Sequence, residues 1–300
     1  MGAQLRAIRR RIRSVQSTAK ITRAMELIAA SQIRRAQQYV QAARPYANQI
    51  TQAIGDLTGQ SEGLEHPLLE VREDPQGAAV LVVTSDRGLA GAYNANVLRR
   101  TEELLAALRD EGKQARVYVT GRKGLAYFRF RERAIEESWQ GFSDRPKYEN
   151  AKAIADTLIE AFVSHEVDEI FGVFTDFVSA LVQRAEARQF LPMIVEEVEV
   201  EEAGPYPLYL FEPAPQEILD VLLPRYVETR VFAALLEAAA SEHAARQRAM
   251  KAATDNADDM IKTLTRVANQ ARQAEITTEI SEIVGGAEAL AAAAAASEGA

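Results

Sequence analysis

From Leu5 onward, apolar residues recur in alternating steps of three and four: Leu5, Ile8, Ile12, Val15, Ala19, Thr22, Glu26, Ala29, Ile33, Ala36, Val40, Ala43, Ala47, Ile50, Ile54 and Leu57. Only Thr22 and Glu26 in that series are polar. A 3.5-residue rhythm sustained over about seven heptads is a coiled-coil seam, because it keeps one stripe turned toward a partner helix along its whole length. At a rise of ~1.5 Å per residue the segment spans roughly 80 Å, so no globular core can cover it alone. The alanines in the seam require the partner to approach closely. Met25 and Ile28 flank the seam where it turns polar, and the stripe is expected to drift there.

The other end of the chain supplies the partner. After Pro224 there is no further proline, and no glycine before Gly285. The stretch FAALLEAAASEHAARQRAMKAATDNADDMIKTL is dense in strong helix formers. Val231, Leu235, Ala238, Ala245, Ala249 and Ala252 keep a similar rhythm, with Glu242 as the exception. Met260, Leu264, Val267, Ala271 and Ala274 continue it, and Ile276, Ile280, Ile283, Ala287 and Leu290 resume it on a shifted stripe. A helix of ~100 Å must bury that stripe somewhere. Pairing with the first helix does so, antiparallel because the chain returns. The predicted organisation is a coiled-coil helix over 1–60, its partner over 213–290, and a low-complexity alanine tail over 291–300 read as a frayed, flexible end.

Between the helices the pattern changes. GAAVLVV and ARVYVTG read as buried strands, ANVLRRTEELLAALRDEG and AKAIADTLIEAFVSHEV as helices, and VDEIFGVFTDF as another strand. LPMIVEEVEVEE reads as an edge strand. Strands alternating with helices predict a mostly parallel, Rossmann-like α/β domain over 77–202, inserted between the two long helices. The fold class is therefore α/β with a long antiparallel coiled coil.

Charge and composition remove several functions. Ten Lys/Arg between Met1 and Arg44 against the single acid Glu26 make that segment +9, which leaves −17 for the rest of a chain whose net charge is −8. A basic element on an acidic body expects an acidic partner surface. It also resembles a removable targeting peptide, but the seam runs unbroken past any plausible cleavage point. Nucleic-acid binding is not expected, because the arginines surround an apolar seam and the chain as a whole is acidic. There is no cysteine, hence no disulfide framework and no thiolate nucleophile. No apolar run reaches the ~20 residues needed to cross a bilayer, so membrane association is expected only through partners.

Candidate chemistry is thin. TSDRGLAGAYN, residues 84–94, follows a strand and precedes a helix, the place of phosphate-binding loops. It holds Gly88 and Gly91 but no GxGxxG, and no Gly-Lys-Ser/Thr follows. Asp86 and Arg87 are read mainly as a pair or as helix caps. His66, His165 and His243 lie far apart and in no metal-ligand spacing. Asp255, Asp258 and Asp259 cluster on the last helix and read as a solvated face or as partners of the basic helix. A nucleotide-binding α/β enzyme with helical arms remains the alternative, centred on Asp86 to Gly91.

Three stretches taken together carry a resemblance: ITRAMELIAASQIRRAQ on the first helix, SDRGLAGAYN opening the α/β domain, and SEHAARQRAMKAATDNADDMIKTL with ARQAEITTEISEIVGGAEAL on the last. The chain resembles the gamma-subunit family of bacterial F-type rotary ATP synthases from its first residues to about Leu290. It departs at Ala90, where many members carry cysteine, and at Ala92, where many carry glycine; no thiol control is implied. The resemblance implies a central-stalk rotor subunit without catalysis, cofactor or metal of its own. Three alpha and three beta subunits would surround the coiled coil, with the epsilon subunit and the c-ring at its foot. The chain would be peripheral to the bacterial plasma (inner) membrane on the cytoplasmic side. The contacts implied toward the alpha/beta sleeve are Arg23, Met25, Arg246, Arg272, Gln273 and Thr277.

Overall fold

A computed structural model describes residues 3–60, 64, 66–193, 212 and 214–298. The elements run α1 (Ala3–Gln60), a 3-10 turn (Pro67–Leu69), β1 (Gly77–Val83), α2 (Tyr93–Asp110), β2 (Gln114–Thr120), α3 (Arg122–Phe130), β3 (Glu137–Trp139), α4 (Tyr148–Val163), β4 (Glu169–Phe177), β5 (Gln183–Leu191) and α5 (Pro215–Glu298). They form two compact units. One joins Met1–Leu27 with Ala249–Ala300, and the other is Ile28–Arg248.

In the first unit α1 and α5 pair directly. The Thr22 hydroxyl lies 2.7 Å from the Thr254 hydroxyl. Each also lies within reach of a carbonyl of its own helix, Ala19 for Thr22 and Met250 for Thr254, so one hydroxyl donates across the pair and the other into its helix. A polar residue in an otherwise apolar seam is thereby satisfied by its counterpart across the pair. All sixteen seam positions named on α1 are buried or half-buried. On α5 the covered stripe is Met250, Thr254, Ala257, Ile261, Leu264, Ala268, Ala271 and Glu275. Leu264 and Ala271 of the sequence reading lie on this stripe, but Ala252, Met260, Val267 and Ala274 are exposed, as are Ile276, Ile280 and Ile283 of the shifted stripe, which corrects those positions. Apolar residues sit on both sides of this helix, so periodicity alone does not say which of two adjacent stripes is covered.

In the second unit the other half of the same seam joins the main core. Ile50, Ile54 and Leu57 share a cluster with Leu219, Leu223, Tyr226 and Val227. Low-numbered α1 thus meets the middle of α5, and high-numbered α1 meets its start, so the pair is antiparallel. Ile54 and Leu57, at 0% and 1% exposure, each contribute about 1.5–3 kcal/mol by burial. Proline occurs inside both helices, Pro45 in α1 and Pro224 in α5. α5 begins at Pro215, so Pro224 lies inside the helix and does not interrupt it. The alanine run taken for a tail lies within α5, consistent with the high helix propensity of alanine.

The sheet order is β3-β2-β1-β4-β5. β1 pairs parallel with β2 and β4, β2 parallel with β3, and β4 antiparallel with β5. β1 is central and buried on both faces, which is why it reads as an unbroken apolar run. Its residues divide with period two. Ala79, Leu81 and Val83 face the cluster that contains Ile154, Leu158 and Phe162 of α4. Ala78, Val80 and Val82 face Val97, Leu105 and Leu108 of α2 and Leu125 and Phe128 of α3. The result is a sheet with helices on both faces, as the alternation predicted.

Three elements were misplaced or missed by pattern. One edge strand is Gln183–Leu191, ahead of most of the stretch read from Leu191 to Glu202, of which residues 194–202 lie outside the described residues. Its sequence, QRAEARQFL, alternates weakly because an edge strand needs little apolar cover and is kept polar against misassociation. Gly172 of β4 lies under the Phe190 ring of β5, and a Cβ there would overlap that ring. The short α3 and β3 also escaped notice, being too brief for a periodic signal.

Candidate functional site

In an open α/β sheet, ligands bind outside the carboxyl ends of the strands. Here that crevice is occupied by the chain's own groups. Asp86, just after β1, accepts hydrogen bonds from three backbone N–H groups: Arg122 (3.2 Å), Gly141 (2.8 Å) and Ser143 (3.1 Å). Its own N–H donates to Ser143 Oγ at 2.8 Å. Arg122 opens α3, so the first N–H of that helix already holds a carboxylate. Ser85 is closed in the same way. Its N–H donates to Asn94 Oδ1 at 2.9 Å, and its hydroxyl donates to the Arg87 carbonyl at 2.7 Å. Gly121 has φ +89° and packs against Thr84, where any Cβ would overlap the Thr84 carbonyl. The cavity left among Thr84, Asp86, Tyr93 and Gly121 is about 10 Å³, room for no more than a water. The nucleotide-site alternative is therefore not favoured: beside Asp86 there is little space, and the Asp86 N–H and carboxylate are already engaged.

A second closure comes from α5. Arg246 Nη2 donates to the carbonyls of Arg87 (3.4 Å) and Gly88 (3.3 Å) and to Glu242 Oε1 at 2.6 Å. Arg246 is 9% exposed and Glu242 1%. Burial pushes the Glu242 carboxyl above the usual range, and Arg246 pulls it back. Glu242, the exception in the apolar rhythm, is thus one half of a buried ion pair. A charged seam residue with an arginine four positions on is the signal that would have revealed it. Nearby, His243 Nε2 lies 3.1 Å from the Asp144 carbonyl.

Five residues before Glu242, Glu237 is half-buried. Its carboxyl is pushed up to about 7, first by burial and then by the neighbouring Asp176, against the pull of Arg188 and Arg44. Arg188 reaches Asp176 at 3.5 Å but Glu237 only at 4.0 Å, and Glu237 Oε2 has no hydrogen-bond partner. The sign of the linkage follows. Between its unfolded value of 4.5 and about 7 the folded chain keeps a proton that the unfolded chain releases, so stability is lost as pH rises through that window. Glu237→Gln removes the charging cost while keeping the shape. It is expected to unfold at the same urea concentration as the natural chain near pH 4.5 and to be more stable by ~1–3 kcal/mol at about pH 8. An equal difference at both pH values would show that charging of Glu237 is not the cause.

The six residues expected to touch a partner fall into two groups. Arg23 is exposed and pairs with Asp258 at 3.4 Å, while Met25 is half-buried. Arg272, Gln273 and Thr277 are exposed on α5, and Thr277 Oγ1 donates back to the Gln273 carbonyl at 2.9 Å. Arg246 is different: its guanidinium is turned inward onto Glu242 and the loop after β1, which the sequence did not indicate. The acidic cluster resolves into pairs, Asp258 with Arg23 and Asp259 with Lys262. Among the described residues no helix is long and apolar enough to cross a membrane.

Comparison with known proteins bears on the whole chain. The ATP synthase family model matches residues 4–290. The ATP synthase gamma chain of Mycolicibacterium smegmatis is 60% identical over 305 residues, covering 97% of this chain and 99% of that one. That of Thermobifida fusca is 56% identical, covering 99% of this chain and all of the relative. Among solved structures, a chain of the Euglena gracilis mitochondrial ATP synthase OSCP/F1/c-ring assembly aligns with a TM-score of 0.66 at 16% identity, over 97% of this chain and 95% of that one. A chain of the Tetrahymena thermophila mitochondrial ATP synthase central stalk and c-ring aligns with a TM-score of 0.58 at 19% identity, over 78% of this chain and 99% of that one. At these identities the two structures speak for the fold.

Proposed function

Because the chain belongs to the ATP synthase gamma-chain family, we propose that it is the central rotor shaft of an F-type ATP synthase, coupling ion-driven rotation of a membrane c-ring to the catalytic beta subunits. The observation that carries this reading is the near full-length relation to gamma chains, together with the antiparallel pairing of α1 and α5. The chain is a non-catalytic subunit. Three alpha and three beta subunits surround the helix pair, and epsilon and the c-ring meet the foot. The complex places the chain on the cytoplasmic side of the bacterial plasma membrane, held there through its partners.

The mechanism rests on asymmetry. Two unlike helices inside a threefold ring of catalytic subunits present a different surface to each. They shift nucleotide affinity only as far as their contacts differ between orientations. The exposed set Arg23, Arg272, Gln273 and Thr277, with half-buried Met25, supplies those contacts. Arg272 offers a planar fork to carboxylates or carbonyls, and Gln273 and Thr277 share one helix face. Arg246 acts from inside, tying α5 to the loop after β1.

Co-expression with alpha and beta subunits of the same organism tests the reading. The expected result is one complex of three alpha, three beta and one copy of this chain, whose ATPase activity depends on it. Elution of this chain alone, with ATPase indifferent to its presence, would overturn the assignment.

A further inference from the structure

Within the Ile28–Arg248 unit, a cavity of about 390 Å³ lies between α1, the loop before α4 and α5. Its volume falls in the range of small-molecule sites, about 300–1,000 Å³. Phe232 and Leu236 of α5 are apolar parts of its lining, and Tyr39 of α1, 65% exposed, lines it as well. Three cations also line it, Arg35 from α1 and Arg145 and Lys147 from the loop. Several cations of this unit are paired, Arg72 with Asp168, Lys113 with Glu169 and Arg133 with Glu102 among them, whereas Arg35, Arg145 and Lys147 are exposed. None of the three lining cations has a carboxylate partner among the described residues. The one acid in the lining, Asp144, has its carboxylate 3.9 Å from Arg87 instead.

An apolar wall with unpaired cations suits one kind of occupant. We infer that this cavity binds a small amphipathic anion, an aliphatic carboxylate whose chain lies against Phe232 and Leu236 while its head group meets Arg35, Arg145 and Lys147. Cations alone would suit a hydrated phosphate, and an apolar cavity alone an alcohol or alkane. The two together select a molecule that is apolar at one end and negative at the other. Such an occupant would contact α1, the loop and α5 at once. None of these residues belongs to the contact set assigned above.

The test uses the full chain and decanoate as the probe, with 1-decanol as the uncharged control, followed by calorimetry. Saturable one-to-one binding of decanoate is expected, with decanol about tenfold weaker, since a charge-assisted hydrogen bond is lost. The exposed double replacement Arg35→Gln with Lys147→Gln is expected to weaken decanoate about tenfold and to leave decanol unchanged. No saturable binding of decanoate would overturn the proposal. So would equal affinity for decanol, or undiminished decanoate binding by the double variant. Should that variant melt earlier than the natural chain, the comparison of decanoate with decanol on the natural chain decides.

Discussion

Ala249→Pro is expected to abolish coupled ATP synthesis while leaving the α/β domain folded. Ala249 lies deep within α5, far from either end of a helix that runs Pro215–Glu298. A proline there removes the hydrogen bond to the Ala245 carbonyl and sets its ring against it, at a cost of ~3 kcal/mol or more. The larger effect is mechanical. A shaft transmits torque only if its helices stay wound and paired, and a break between Arg248 and Met250 separates the stripe around Thr254 from the segment that packs on the sheet. The check is ATP synthesis by membrane vesicles carrying the variant, beside the uncoupled ATPase of the same preparation. Unchanged synthesis would refute a load-bearing α5. The Pro45 and Pro224 that the protein tolerates do not argue against this, since neither falls in the stretch around Thr254.

Arg246→Ala should destabilise the chain by ~3–5 kcal/mol near neutral pH, because it strands Glu242 as a buried, unpaired carboxylate. Glu242 is 1% exposed, and its ionised form already suffers from burial. Without the guanidinium it is expected to take up a proton, so the loss should shrink as pH falls. The replacement also frees the carbonyls of Arg87 and Gly88 from their α5 donor. Urea unfolding at two pH values measures the effect. The double replacement Glu242→Gln with Arg246→Met separates the causes: it removes both charges and should recover most of the stability. A single variant as stable as the natural chain would mean that the pair is solvated in solution. A purely sleeve-facing arginine would have predicted normal stability with impaired ATPase.

The contrast between those two residues shows where sequence reading succeeds. Ala249 and the seam on α1 were legible because a coiled coil repeats one simple demand, an apolar residue every 3.5 positions, and repetition makes a pattern visible. Every seam position named on α1 is covered in the structure. The strand β1 was legible because burial on both faces leaves a continuous apolar run. The polar positions inside those patterns were not. Thr22 is explained only by Thr254, more than two hundred residues away, and Glu242 only by Arg246 and the carbonyls after β1.

The same division holds for function. Long, ordered motifs along nearly the whole chain pointed to the family without any coordinates. Whether SDRGLAGAYN binds a phosphate could not be settled that way. A loop between a strand and a helix offers the same backbone donors whether a ligand or a side chain takes them. Only the tertiary structure places Asp86 on the N–H groups of Arg122, Gly141 and Ser143 and turns Arg246 inward. The sequence by itself determined the periodic elements, since burial along a helix or strand is a local property written residue by residue. The tertiary structure decided which of two adjacent stripes on α5 is covered, which charges are paired and which crevice is closed. Those depend on groups brought together across the chain, and no local pattern records them.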